Sequence, residues 1–230
     1  LNLADRFFNL LFPPKCPFCG CVLDRPGLCP QCRGTLPWTG EAEREQTLSG
    51  GIRCASPLFY EAGARKGILR YKFHGASGAA EALGGLLADC AAECFSGGFD
   101  TVTWVPVSRK RLRRRGYDQA YLLAEAACRR WEAKPEALLR KTEDNPAQSG
   151  LSEAAARRAN VLGVYEAAGR IAGRRILLID DIVTTGSTLA ESARVLMDAG
   201  AADVVCAALA RTRLEKEDAR RKRMQKCTNT

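Results

Sequence analysis

No apolar run in this sequence approaches the roughly 20 residues that a membrane-spanning helix needs, which argues against a helical membrane protein. The pattern of an export signal is also missing. Leu1 to Phe12 is amphipathic and carries Asp5 and Arg6, with no basic start, apolar run and small-residue cleavage site. Histidine is nearly absent: His74, in Tyr71-Lys72-Phe73-His74, is the only one, and it reads as an ordinary surface or packing residue. There is no Gly-x-x-x-x-Gly-Lys-Ser/Thr string, which excludes a nucleotide-driven motor built on that loop. No internal repeat is evident.

What remains is the composition of a soluble globular protein. The 230 residues are 46% hydrophobic and 27% charged, enough for one ordinary domain with a real core and a small appendage. The formal charge of +9 is concentrated. Residues 109–115 (Arg-Lys-Arg-Leu-Arg-Arg-Arg) hold six basic side chains, and residues 211–230 hold eight basic against three acidic. Two local patches of this kind favour a polyanionic partner, although the second also reads as a solvated tail.

Eleven cysteines without an export signal point to a reducing, cytoplasmic compartment and to metal binding. Cys16-Pro-Phe-Cys19 and Cys29-Pro-Gln-Cys32 form C-x₂-C-x₉-C-x₂-C. A lone C-x-x-C can be a redox pair. Two such knuckles this close supply the four thiolates of a structural, tetrahedral Zn²⁺ site. Gly20 and Gly34 follow the pairs where tight turns are expected, and so small a module would draw folding energy from the metal. Cys21 breaks the spacing. Cys90, Cys94, Cys128 and Cys206 sit in apolar patterns and read as core.

The chain divides into residues 1–40 (amphipathic stretch and cysteine knuckles), a polar linker over 41–53, a main domain over 54–212 and a basic tail over 213–230. In the main domain strand patterns at 55–60, 102–106, 161–165, 176–179 and 204–209 alternate with helical patterns at 63–73, 79–94, 119–131 and 187–199. That alternation predicts an α/β fold, a parallel sheet flanked by helices.

One segment stands out. Ile176-Leu-Leu-Ile-Asp-Asp-Ile-Val-Thr-Thr-Gly-Ser-Thr188 reads as strand, acidic pair, hydroxyl- and glycine-rich turn, and helix start. Ligands of parallel sheets sit at the carboxyl ends of strands, where a helix N-terminus offers unpaired N–H groups to a phosphate. Gly186 allows close backbone approach, and Thr184, Thr185, Ser187 and Thr188 add hydroxyl donors. Carboxylates beside a phosphate make sense when they grip a ribose diol or hold Mg²⁺ through water, so Asp180 and Asp181 are both expected to face the sugar. The string resembles the signature of the type I phosphoribosyltransferases. In that family the acidic pair bonds the ribose hydroxyls, the turn holds the 5′-phosphate, and Mg²⁺ accompanies the pyrophosphate of phosphoribosyl pyrophosphate.

A second segment, Val105 to Ala120, reads as a basic loop after a strand, with guanidinium groups suited to bidentate phosphate contacts. Ser108, Arg109, Lys110, Arg114, Arg115, Gly116 and Gln119 are its candidates for pyrophosphate or another polyanion. Taken with the knuckles, the Arg115-Gly-Tyr-Asp-Gln-Ala120 string and Gln148-Ser-Gly-Leu-Ser followed by Arg157-Arg-Ala-Asn160, the sequence over roughly 14–212 resembles the ComF family. Those phosphoribosyltransferase-like proteins carry an N-terminal zinc ribbon and are associated with natural competence and DNA uptake. The resemblance places Arg115, Gly116, Gln119, Gln148, Arg157 and Asn160 on the functional surface, the last three in a flexible loop. Many relatives have a second cysteine cluster. Here only Cys54 follows Leu36-Pro37 closely, so one zinc site is expected.

Two functional readings stand. One is an enzyme moving ribose 5-phosphate from phosphoribosyl pyrophosphate to an acceptor that the sequence does not identify, with no residue assignable as catalytic acid or base. The other is a binding module that holds the sugar phosphate, binds single-stranded DNA through its basic segments with Tyr117 and Trp38 as stacking surfaces, and works beside a competence DNA translocase.

Overall fold

The computed structural model describes residues 13–73, 77–142 and 163–213. After the first cysteine knuckle come α1 (Pro30–Thr35), α2 (Glu41–Arg44), β1 (Glu45–Thr47), β2 (Arg53–Ala55), β3 (Leu58–Phe59), α3 (Ala62–Phe73) and α4 (Ala80–Phe95). Then follow β4 (Thr101–Trp104), α5 (Arg109–Arg115), α6 (Gln119–Cys128), β5 (Leu139–Lys141), β6 (Tyr165–Ala167), β7 (Arg175–Val183), α7 (Ser187–Asp198) and β8 (Asp203–Arg211). The main sheet runs β1-β2-β8-β7-β4, with β3 also on β8. All its pairings are parallel except β1 on β2, an antiparallel edge. β5 and β6 form a separate antiparallel pair.

Helices cover both faces of the parallel sheet, so its central strands are apolar on both sides rather than alternating. Leu177 and Ile179 of β7 enter one core with Ile68 of α3, Leu83 and Leu87 of α4 and Leu123 of α6. Ile176 and Leu178 enter the other with Leu189, Ala193 and Leu196 of α7. All four β7 side chains are buried, each worth about 1.5–3 kcal/mol relative to exposure. The α/β architecture is therefore the expected one, and its details differ in several places: the strand expected at 161–165 is β6 (Tyr165–Ala167), paired with β5 outside the main sheet.

Residues 41–53, expected as a linker, instead form α2 and β1, and β1 extends the sheet through Glu45↔Ala55 and Thr47↔Arg53. Its charged, polar side chains suit an exposed edge strand. The single strand expected over 55–60 is split into β2 and β3 around Ser56-Pro57, because proline cannot donate to a ladder. The segment read as a basic loop is the helix α5. Ser108 caps it by accepting the Arg111 N–H at 3.3 Å, and Gly116, with φ of 81°, closes it by donating to the Leu112 carbonyl.

The cysteine knuckles are not a separate bead. Cys16, Phe18, Cys29, Cys32 and Leu36 share one core with α3, α4 and α6. Phe18 fits over Gly67 of α3, where an added Cβ would lie 2.4 Å from its ring. Arg70 Nη2 donates to the Phe18 carbonyl at 3.1 Å. No helix among the described residues is long and apolar enough to cross a membrane.

Candidate functional site

The expected phosphate turn lies at the carboxyl end of β7, between the two longest strands' pairing and the start of α7. β7 pairs with β8 as far as Val183↔Arg211, so the acidic pair lies within the strand. Thr212 then ties the turn down, donating its N–H to the Val183 carbonyl (3.0 Å) and its hydroxyl to the Thr184 carbonyl (3.1 Å). Gly186 is the N-cap of α7, with φ of 74°, and an added Cβ would lie 2.6 Å from Leu48 Cδ2. Only glycine satisfies that backbone angle and that contact together.

Because Gly186 has no side chain, α7 starts without a side-chain cap from its N-cap residue. The Thr185 and Ser187 hydroxyls lie 2.9 Å apart, and the Ser187 N–H reaches Thr185 Oγ1 only at 3.4 Å. A helix start of this kind keeps donors and the positive dipole end available to an anion. A small pocket there is lined by Asp180 and by the turn from Thr184 to Thr188.

The two carboxylates do not share this pocket. Asp181 is buried and its side chain meets α3: Lys72 Nζ donates to Oδ1 at 3.2 Å and lies 2.9 Å from Oδ2, an ion pair without hydrogen-bond geometry at the second oxygen. Asp180 is half-buried on the pocket side, its Oδ1 accepting the Asp181 N–H at 2.7 Å. Successive residues of a strand point to opposite faces, which is why neighbours in sequence are separated here. Burial, and next the charge of Asp181, push the Asp180 carboxyl up to about 8. Lys72 is the partner of Asp181 that the sequence reading missed. It lies 109 positions from Asp181, and no local pattern announces it.

The second expected group is divided. Arg109, Lys110, Arg113 and Arg114 are exposed on α5, which follows β4 at the same carboxyl edge of the sheet, where the Val105 N–H meets the Ile179 carbonyl. The others are built into the framework. Ser108 is buried as the cap of α5, and Gly116 is its C-cap. Arg115 donates to Gln119 Oε1 at 2.8 Å and lies over the Phe73 ring, and burial lowers its pKa. Asp118 caps α6 through the Ala120 and Tyr121 N–H groups and also accepts from Val107 N and Trp104 Nε1. Tyr117 donates to the Tyr71 carbonyl, and Tyr71 in turn donates to the Gln119 carbonyl at 2.8 Å. The Arg-Gly-Tyr-Asp-Gln string is thus a latch between α5, α6 and the end of α3. Trp38 is half-buried against the core and donates to the Arg33 carbonyl at 2.8 Å, so it is packing rather than an open stacking surface. Gln148, Arg157, Asn160, His74 and the tail from residue 214 lie outside the described residues.

At the other end, Cys16, Cys19, Cys29 and Cys32 bring their sulfurs within 4.8 Å of one another. Cys19 and Cys29 are 3.6 Å apart, close to the ~3.8 Å edge of a tetrahedron with Zn–S bonds of about 2.3 Å. Cys29 caps α1, and its sulfur accepts the Cys32 N–H at 3.3 Å. Hydrogen bonding from the Cys21 backbone lowers the pKa of the Cys19 thiol, whereas burial and the neighbouring sulfurs raise that of Cys32. Gly20 turns the first knuckle with φ of 83°, whereas Gly34 lies inside α1 and makes no special turn. Cys54, Cys90, Cys128 and Cys206 are buried and Cys94 is half-buried. The donor set and its spacing fit structural zinc.

The phosphoribosyl transferase domain family matches residues 113–230, and the double zinc ribbon domain family matches residues 7–43. The cluster just described is the one group of this kind among the described residues. DNA utilization protein YhgH of Escherichia coli O157:H7 is 38% identical over 117 residues, 49% of this chain and 50% of that protein. Competence protein F of Haemophilus influenzae is 36% identical over 112 residues, 46% and 48% of the two chains. Competence protein ComFC of Bacillus subtilis is 27% identical over 188 residues, 81% of this chain and 73% of its own. The first two matches span about half the length of those relatives. With a strand–turn–helix connection at one end of the sheet and a four-cysteine zinc ribbon packed on its helices, this chain belongs to the phosphoribosyl transferase domain family.

Proposed function

We propose that this chain binds phosphoribosyl pyrophosphate at the β7–α7 turn and serves a DNA-utilisation or DNA-uptake pathway. The observation that carries this reading is the N-terminus of α7, uncapped at Gly186, beside Asp180 at the carboxyl end of β7. The turn suits a 5′-phosphate. Its N–H groups and the hydroxyls of Thr184, Thr185, Ser187 and Thr188 can all donate to phosphate oxygens. Asp180 suits a ribose hydroxyl. The exposed Arg109, Lys110 and Arg114 at the neighbouring strand end offset the charge of the pyrophosphate. Mg²⁺ would arrive with the pyrophosphate and lower its charge further.

The names of the relatives, DNA utilization protein and competence protein, support the cellular setting. In it the same exposed arginines would meet the phosphates of single-stranded DNA, close to a competence DNA translocase. A thiolate zinc site fits the reducing cytoplasm.

Titration calorimetry of phosphoribosyl pyrophosphate with Mg²⁺ tests the site. Asp180→Asn should weaken binding roughly 10- to 100-fold, the worth of a hydrogen bond to a charged group. Unchanged affinity in that variant rejects the site. Pyrophosphate release that depends on one acceptor base would make the protein a transferase, and release at the background rate would leave it a binding module.

A further inference from the structure

We propose that Lys72 is the positioning residue of the acidic pair: it fixes and offsets the charge of Asp181, which the alternation of β7 already turns to the α3 face, so that the bound sugar meets Asp180 with no uncompensated carboxylate behind it. This rests on the binding reading above and deepens it. The difficulty it resolves is electrostatic. Two adjacent carboxylates at the end of one strand would repel a ligand that is itself a polyanion. Lys72 offsets the charge of Asp181, because its ammonium lies 2.9 Å and 3.2 Å from the two oxygens of that carboxylate. The Asp181 side chain is 5% exposed and that of Lys72 21%, so water screens the pair little.

The position of Lys72 is itself fixed from both sides. The preceding residue, Tyr71, is 1% exposed, donates its hydroxyl to the Gln119 carbonyl, and accepts the Tyr117 hydroxyl at its own carbonyl. The following residue, Phe73, lies beneath the Arg115 guanidinium. Every one of these partners comes from the Arg115-Gly-Tyr-Asp-Gln119 string. That string therefore acts on the ligand indirectly, by setting the last turn of α3 so that Lys72 reaches Asp181. Arg115 also feels the charge of Asp181. It is engaged by Gln119 and Phe73, which leaves Lys72 as the direct partner.

The test compares Lys72→Met, Lys72→Arg and the double variant Lys72→Met/Asp181→Asn, measuring affinity for phosphoribosyl pyrophosphate with Mg²⁺ and thermal melting of each. Lys72→Met should lose roughly 10- to 100-fold in affinity, because it strands a buried charge. Lys72→Arg should recover most of that loss. The double variant, with a neutral pair, should return to within about threefold of wild type, since coupled residues cancel when both are changed. A double variant as weak as Lys72→Met overturns the proposal, for it means that Lys72 serves the ligand by another route. Wild-type affinity in Lys72→Met overturns it as well. If Lys72→Met melts too low to assay, Lys72→Arg and the double variant still decide the matter. Failure of the wild-type protein to bind phosphoribosyl pyrophosphate would instead remove the binding reading itself, and this proposal with it.

Discussion

Two strand-to-helix connections leave the same edge of the sheet on neighbouring parallel strands, and they begin their helices in opposite ways. After β4, Ser108 closes the start of α5 with its own hydroxyl, and the helix carries six basic side chains over seven residues. After β7, Gly186 supplies no cap, and α7 is a twelve-residue helix with no basic residue in its last turn and no acidic one in its first. The first connection ties the Arg111 N–H to its cap and suits anions through its side chains, an effect that would reach far and fade with salt. The second has no cap from its N-cap residue, only the long Ser187 N–H contact to Thr185, and suits an anion held at short range and in one geometry. The difference is between a field and a site, built on adjacent strands.

The largest effect is expected where the site is blocked. Gly186→Val would place a branched side chain at φ of 74° and against Leu48, at a cost of about 2–4 kcal/mol in stability. Calorimetry should show loss of phosphoribosyl pyrophosphate binding, and retained binding would mean that the open helix start is not the site. Next in size, replacing Arg109, Lys110 and Arg114 with Gln should act on the field. The slope of log affinity against log salt for a single-stranded oligonucleotide should fall by about 2, at ~0.7 for each phosphate contact removed. An unchanged slope would show that α5 does not meet nucleic acid. The smallest effect belongs to Ser108→Ala, which removes a cap worth about 1 kcal/mol and should lower the melting midpoint by roughly 2–4 °C. A loss of ligand affinity comparable to that of Gly186→Val would erase the contrast between the two connections.

Much of this was readable from local sequence. The thirteen residues from Ile176 to Thr188 announce strand, turn and helix because the apolar run, the glycine and the amphipathic helix follow one another directly. The cysteine spacing announces the metal for a similar reason. The helix α5 was hidden, although its cap and its terminal glycine are both in the sequence, because a run of six like charges has no apolar stripe to mark a buried face. β1 was hidden by its charged residues, which suit an edge but resemble a linker. The division of Asp180 from Asp181 follows from strand geometry once β7 is known to continue to Val183. The partner of Asp181 does not follow from any local rule. Lys72 reaches it only because the sheet and α3 are assembled, and the Arg-Gly-Tyr-Asp-Gln string, read as ligand surface, is largely occupied in making that assembly rigid.

The seat of Phe18 on Gly67 has a consequence for how this protein can be divided. A zinc ribbon joined by a tether could be cut away or exchanged like a cassette. Here the ribbon's aromatic side chain fills a notch in the helix that also presents Lys72, and the residues next to it in sequence supply the sheet's edge strand. Removing the first fifty residues would uncover apolar surface on α3 and take away β1 in the same stroke. The smallest heritable unit is therefore the ribbon and the sheet together, and a chimera made by swapping ribbons would have to bring a matching α3 with it.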